Sequence, residues 1–109
     1  NEKMMNFLLK EFKMEEFINK LDMVISDDGH PLSSGQAQIM MLIRSLLKRP
    51  QVLILDEALC NVDETRLMLI MDYLKSLDGK LIVIIVAHQT KLMNELFDCV
   101  IIEHGKIRK

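Results

Sequence analysis

Two adjacent carboxylates, Asp56 and Glu57, directly follow the apolar run VLIL at residues 52–55. A short continuous run of branched apolar residues is typical of a strand buried on both faces of a parallel sheet. Ligands bind beyond the carboxyl ends of such strands, and buried carboxylates there are costly unless a cation offsets their charge. The pair therefore suits a site for Mg²⁺ and a phosphate, in which one carboxylate serves the metal and the other orients a water. A pair that only caps the following turn explains the run equally well.

A histidine, His88, follows a second apolar run, LIVIIVA at residues 81–87. If the two strands are neighbours, His88 and Glu57 open onto the same crevice, because parallel strands end at the same edge of a sheet. A single histidine at such a place is more often a hydrogen-bonded structural residue than a catalytic one. Its position beside the acidic pair favours a functional role.

The stretch LSSGQ at residues 32–36 stands directly before a run with helical periodicity, residues 36–49, which Pro50 ends. A helix N-terminus carries unsatisfied N–H groups and a partial positive charge. Ser33 and Ser34 add hydroxyl groups, and Gly35 lets the backbone approach a bound group closely. The arrangement suits a phosphate receptor. The simpler interpretation is a serine N-cap without a ligand.

Other segments supply the framework that must position these residues. Residues 3–21 have the apolar spacing of an amphipathic helix, with a break near Lys13, and residues 26–31 are turn formers. A further helix is predicted from an N-cap at Asp63 to a stop at Gly79, and a short one over residues 90–97. A hairpin turn is predicted at residues 104–105. Alternating strands and helices indicate an α/β layer structure.

Composition limits the classes of function. With 109 residues, half of them hydrophobic, the chain has enough apolar residues for one core and one domain. The net charge of −2 gives no basic field for a nucleic acid, so no nucleic-acid partner is expected. The longest apolar run, residues 81–87, is far shorter than the roughly 20 residues of a membrane span. Cys60 and Cys99 are interpreted as buried or half-buried thiols of a reducing compartment.

A phosphate-binding loop of the type G-x-x-x-x-G-K-S/T usually precedes a magnesium strand of this kind. The four glycines, at positions 29, 35, 79 and 105, do not form one. The sequence therefore has a candidate receptor for a terminal phosphate and a candidate magnesium strand, but no cradle for the remaining phosphates of a nucleotide. It also starts at Asn1 within a helical pattern, which indicates a piece of a longer protein.

The order LSSGQ, VLILDE, ALCNVD and IVAHQ resembles the C-terminal half of the ATP-binding-cassette (ABC) transporter ATPase domain. The likeness covers residues 27–109, and four motifs in this order and spacing are highly specific. The family signature is usually LSGGQ, so Ser34 replaces a glycine, and Ala37 stands where an arginine is common. Leu59 and Cys60 replace the usual Thr-Ser. None of these departures removes a catalytic group.

The resemblance implies a role for each candidate residue. Asp56 in the Walker B strand would bind Mg²⁺, and Glu57 would be the general base that polarises the attacking water. His88 would be the switch histidine at the γ-phosphate. Asp63 would be the aspartate of the D-loop and would contribute to binding the nucleotide. The signature residues Ser33, Ser34, Gly35 and Gln36 would bind ATP held by a second ATPase domain in a head-to-tail dimer.

By the same resemblance, the fold class is α/β, a P-loop NTPase-like parallel-sheet fragment with part of the helical subdomain. Residues 1–31 would be helical subdomain and linker, and residues 32–109 the C-terminal part of the ATPase core. The expected function is ATP hydrolysis that drives transmembrane transport, with export preferred, at the cytoplasmic face of a membrane and in contact with transmembrane domains. Without the Walker A loop, the 109-residue chain by itself is expected to be inactive.

Three alternatives remain at this stage. The chain could belong to a soluble ABC-type ATPase of DNA repair, chromosome structure or translation, although DEALCNVD favours the transporter branch. It could be a non-catalytic module that only dimerises, which the presence of Glu57 and His88 disfavours. It could also be an unrelated α/β domain, which the ordered motifs disfavour.

Overall fold

The computed structural model describes residues 2–18, 32–87, 98 and 100–108. The predicted turn at residues 26–31, the predicted helix at 90–97 and His88 lie outside this part. In chain order the elements are α1 (Glu2–Glu11), a short 3₁₀ helix (Glu15–Phe17), α2 (Ser34–Leu47), β1 (Val52–Asp56), α3 (Glu64–Ser76), β2 (Ile82–Val86), β3 (Ile101–Glu103) and β4 (Lys106–Arg108).

The N-terminal helical segment is interrupted at the position that the sequence predicts. α1 ends at Glu11, and Lys13 adopts a left-handed backbone conformation with φ of 56°. The chain then re-enters a 3₁₀ turn at Glu15–Phe17 rather than a second α-helix. The predicted break near Lys13 is confirmed, and residues 19–21 of the predicted helix lie outside the described part.

α2 begins two residues earlier than its hydrophobic periodicity predicts and ends at Leu47. The early start follows from Ser33, which caps the helix before the first apolar residue of the stripe. Arg49, with φ of 50°, lies just beyond the helix end and is followed by Pro50. A left-handed residue followed by proline is a common way to end a helix.

The hydrophobic core lies among α1, α2, α3 and one face of the β1–β2 sheet. α2 and α3 each bury an apolar stripe at the i, i+3, i+4, i+7 spacing of an amphipathic helix. In both stripes together, the buried residues are Ile39, Leu42, Ile43, Leu46, Leu67, Ile70, Met71 and Leu74. The rings of Phe12 and Tyr73 meet edge to face with their centroids 5.7 Å apart, which fixes α1 against α3.

β1 and β2 form a parallel pair in which Val52 lies opposite Ile82 and Asp56 opposite Val86. α3 is the crossover between them, as the alternation of strand and helix predicts. The prediction that the strands are buried on both faces is wrong. Along β1, Leu53 and Leu55 are buried, whereas Val52 and Ile54 are exposed, Ile54 by 64%.

The physical reason for this alternation is that the helical layer of the described residues covers one face of the sheet. β2 follows the same pattern, since Ile82, Ile84 and Val86 are exposed and the residues between them are partly buried. A continuous apolar run therefore does not distinguish a sheet covered on one side from a sheet covered on both.

β3 and β4 form an antiparallel hairpin in which Glu103 pairs with Lys106. The two turn residues, His104 and Gly105, both have positive φ, 52° and 76°. Two residues with positive φ are typical of the tight turn whose twist matches a β-hairpin. The predicted turn is confirmed. No helix in the described part of the chain is long and apolar enough to cross a bilayer.

Candidate functional site

The carboxyl end of β1 turns sharply at Glu57. Its amide nitrogen donates to the carbonyl oxygen of Val86 at 2.9 Å and so extends the contact between β1 and β2 by one residue. Glu57 itself has φ of 54°, a left-handed conformation that costs roughly 1–2 kcal/mol for a residue with a Cβ atom. Such conformations persist where the surrounding structure enforces them, and they are concentrated at functional sites.

The other left-handed residues with side chains in the described part of the chain have ordinary structural explanations. Lys13 and Arg49 lie just after helix ends, and His104 lies in the hairpin turn. Glu57 instead follows a strand, at the sheet edge where ligands bind in parallel α/β folds. The left-handed conformation of Glu57 is therefore not explained by a helix end or a hairpin turn. It occurs at the edge of the sheet where Asp56 and Glu57 lie.

Asp56 and Glu57 are both exposed. The expectation that burial makes this pair costly is therefore wrong for the described chain, because the outer face of the sheet carries no covering layer there. Mg²⁺ is usually bound by one or two carboxylates together with phosphate oxygens and waters. The described residues contain no cluster of three or more metal-ligating side chains, and an accessible Asp56 fits such a sparse protein contribution.

The start of α2 is stabilised by a capping box. The Ser33 hydroxyl accepts from the Gln36 amide at 3.1 Å, and the Gln36 side-chain oxygen accepts from the Ser33 amide at 3.0 Å. The interpretation of Ser33 as the N-cap is confirmed. Within the described part of the chain no acceptor is bonded to the amides of Ser34 and Gly35. Ser34 is exposed, so its N–H group is accessible to an anion, whereas Gly35 is buried.

Gly35 makes its close backbone approach to the loop between β1 and α3, residues 57–63. A Cβ atom at Gly35 would lie 2.5 Å from the Asn61 carbonyl oxygen and 3.5 Å from the Val62 Cα atom. Real Cβ atoms do not come so near to backbone, so this position requires glycine. The sequence predicts a close approach at Gly35, and the structure identifies the chain's own loop as one partner.

Gln38 is the residue of this region that the sequence patterns miss. Its side-chain oxygen accepts from the Asn61 amide at 2.8 Å, and its side-chain nitrogen donates to the Cys60 sulfur at 3.3 Å. One signal was present in the sequence. Gln38 is one turn after Gly35 and one turn before Leu42, on the inward side of the helix, where a polar residue usually has a specific partner.

Asp63 caps α3, as its sequence pattern predicts. Its carboxylate accepts from the Arg66 amide at 3.0 Å and from the Arg66 guanidinium at 3.2 Å. The hydrogen bond from the Arg66 amide, helped by the guanidinium, lowers the pKa of the Asp63 carboxyl below its ordinary value. The same guanidinium donates to the carbonyl oxygen of Lys13 at 3.1 Å, so Arg66 joins the start of α3 to the end of α1.

The geometry thus brings the start of α2, the loop of residues 57–63 and the carboxyl end of β1 into one continuous region. A comparison with known proteins gives the family. The sequence model of the ABC transporter family matches residues 1–60, more than half of the chain. The chain belongs to the ABC transporter family.

This ABC transporter chain is similar to parts of two much longer proteins. It is 37% identical over 98 residues to the ATP-dependent lipid A-core flippase of Haemophilus influenzae, covering 86% of this chain and 17% of that protein. It is 34% identical over 84 residues to the multidrug resistance-like ATP-binding protein MdlB of Buchnera aphidicola, covering 77% of this chain and 14% of that protein. The chain therefore spans less than a fifth of the length of these curated relatives.

His88 and Cys99, which the sequence analysis also interpreted, lie outside the described part. The parallel register brings Val86, two residues before His88, beside Asp56, while the proximity of His88 to Glu57 stays a prediction. The interpretation of Cys60 as a buried or half-buried thiol is wrong, because Cys60 is exposed on the loop that Gln38 contacts.

Proposed function

We propose that this chain is the C-terminal half of a nucleotide-binding domain that hydrolyses ATP to drive transport across a membrane. The observation that carries the proposal is the carboxyl end of β1. There Asp56 and a backbone-strained Glu57 stand exposed at the ligand-binding edge of a parallel sheet. An enforced strained backbone at an accessible acidic residue is the combination expected of a catalytic carboxylate.

In this proposal the two carboxylates have different tasks. Asp56, the last residue of β1, holds Mg²⁺, which when bound neutralises charge on the phosphate oxygens. Glu57 orients a water and accepts its proton, as a general base in phosphoryl transfer does. His88, from the segment after β2, donates a hydrogen bond to the terminal phosphate.

The start of α2 acts on a second nucleotide. The signature residues Ser33, Ser34, Gly35 and Gln36 face ATP that a partner ATPase domain holds, in a head-to-tail dimer. The amides of Ser34 and Gly35 support this role, because they have no acceptor in the described part of the chain and are oriented donors at a helix N-terminus. The capping box holds Ser33 and Gln36 in place while their backbone positions frame those donors. Asp63, at the end of the loop that follows Glu57, contributes to binding the nucleotide as the aspartate of the D-loop.

The domain organisation follows the same interpretation. Residues 1–31 belong to the helical subdomain and its linker, and residues 32–109 to the ATPase core. The names of the two relatives, a flippase and a multidrug resistance-like protein, support an exporter that works with transmembrane domains at the cytoplasmic face of a membrane. Because these 109 residues contain no Walker A loop, the chain by itself neither binds ATP tightly nor hydrolyses it. An ATPase assay on the purified chain checks this.

The test of the catalytic assignment is Glu57→Gln in the full-length protein. The substitution keeps size and removes the basic oxygen, so kcat should fall at least about 100-fold while ATP binding is retained. Glu64→Gln is the matched control, since Glu64 is also an exposed glutamate but begins α3 instead of ending β1. It should keep the parental rate. Parental hydrolysis by Glu57→Gln would show that Glu57 is not the general base.

A further inference from the structure

We propose that Gln38 is a positioning residue that sets the place of the loop of residues 57–63 against the start of α2. The proposal rests on the function proposed above, because it concerns how the two proposed phosphate-facing regions of one chain are held together. Gln38 touches no nucleotide in this scheme. It acts through Cys60 and Asn61.

Both ends of the Gln38 amide are used for this contact. The oxygen accepts from the Asn61 backbone amide at 2.8 Å, which is a short and favourable distance for an N–H···O bond. The nitrogen donates to the Cys60 sulfur at 3.3 Å. One side chain of α2 therefore recognises two successive residues of the loop, one of them through its backbone, so the contact constrains the path of the chain itself.

Gly35 strengthens the same contact one helical turn earlier. The backbone of the loop approaches Gly35 so closely that a Cβ atom would overlap the Asn61 carbonyl oxygen at 2.5 Å. Asn61 is thus held on two sides, by the Gly35 backbone and by the Gln38 side chain. Together they fix both the distance and the register of the loop on α2.

The rest of the loop shows why a contact at its middle matters. Its first residue, Glu57, is fixed by the hydrogen bond to the Val86 carbonyl, and its last, Asp63, by the cap on α3. Between these two ends the loop has a local backbone hydrogen bond, from the Val62 amide to the Leu59 carbonyl at 3.2 Å. Gln38 supplies the side-chain link from the middle of the loop to a different element.

This link connects the two proposed halves of the chemistry. Ser34 and Gly35, at the start of α2, offer amides to the ATP held by a partner domain. Glu57 orients the attacking water at a different nucleotide. A shift of Asn61 on α2 would move the loop relative to those amides. Errors of about 1 Å in catalytic geometry can cost up to roughly 100-fold in rate, so the contact is expected to affect turnover more than nucleotide affinity.

The experiment compares Gln38→Met with Gln38→Glu in the full-length protein. Methionine keeps the length and helix preference but offers the Asn61 amide only a weak sulfur acceptor, whereas glutamate keeps the oxygen acceptor and loses the donor to Cys60. For Gln38→Met we expect kcat about tenfold lower with KM for ATP within about twofold and an unchanged thermal midpoint. Gln38→Glu should keep at least half of the parental kcat. Gln51 is an exposed glutamine directly before β1, so Gln51→Met is the control and should match the parent.

Gln38→Asn is a second variant in case methionine impairs folding, because its side chain is one carbon too short to reach Asn61. It should reproduce the loss of kcat. Parental kcat in a folded Gln38→Met or Gln38→Asn protein would overturn the proposal, and so would an equal loss in Gln38→Glu and Gln38→Met. Glu57→Gln in the same assays separates the two claims. Hydrolysis by Glu57→Gln contradicts the proposed function, whereas an inactive Glu57→Gln beside a fully active Gln38→Met contradicts the positioning role alone.

Discussion

The start of α2 and the end of β1 both carry residues proposed to act in phosphate chemistry, but they are built in opposite ways. At the start of α2, Ser33 and Gln36 satisfy each other's backbone amides within four residues. At the end of β1, Glu57 holds an unfavourable backbone conformation that a contact with Val86, far along the chain, helps to impose. The first region is stable because of its own sequence, and the second depends on the surrounding fold.

The difference indicates where this chain tolerates strain. A capping box stabilises a helix by about 1 kcal/mol, whereas a left-handed glutamate costs roughly 1–2 kcal/mol. The unfavourable conformation is at Glu57, the proposed catalytic carboxylate. The stabilising cap is at the start of α2, which presents the proposed N–H donors. Donors at a helix start need only a regular helix, whereas a general base needs an orientation that regular structure does not supply.

The largest expected effect tests whether the end of β1, where Asp56 and Glu57 lie, depends on the burial of one face of the sheet. Leu55, next to Asp56, is 5% exposed, so Leu55→Ala should lower the free energy of unfolding by about 2–5 kcal/mol. Ile54→Ala is the matched control on the outer face, where the change should be below about 1 kcal/mol. Denaturant unfolding followed by circular dichroism measures both. Equal losses would mean that the outer face is covered in solution.

A smaller effect tests the local character of the α2 start. Ser33→Ala removes the acceptor for the Gln36 amide and should cost about 1 kcal/mol of stability. Ser34→Ala, one residue later and inside the helix, should change stability by less than about 0.5 kcal/mol. The thermal midpoints of the two variants give the comparison. If Ser34→Ala proved the more damaging, the capping box would not be what stabilises this helix start.

The smallest effect tests the strain at Glu57. Glycine adopts positive φ without steric cost, so Glu57→Gly should be more stable than Glu57→Ala by about 0.5–1 kcal/mol. The same pair at Glu64, in the first turn of α3, should give the opposite order by about 1 kcal/mol. Unfolding free energies of the four variants check this reversal. If alanine were the better residue at both positions, Glu57 would carry no backbone strain.

Much of the local structure could be predicted from the sequence. The break near Lys13, the caps at Ser33 and Asp63 and the hairpin turn at His104 agree with their predictions. Each depends on residues within about four positions of one another, where side-chain type and backbone preference act directly. The order of four motifs likewise indicated the ABC transporter family, since it is a property of the sequence alone.

The tertiary structure decided the rest. Which face of the sheet is buried, the exposure of Asp56 and Glu57, and the contact of Gln38 with Asn61 depend on how separate elements meet. An apolar run indicates that its residues prefer burial, but it does not predict whether one or both faces of the sheet are covered. A single glutamine in a helix likewise does not predict its hydrogen-bond partner. The sequence by itself therefore determined the family, the alternation of strand and helix from α2 to β2, and the helix caps, because local chemistry encodes them. Packing between distant segments determined the backbone of Glu57 and the loop that it begins.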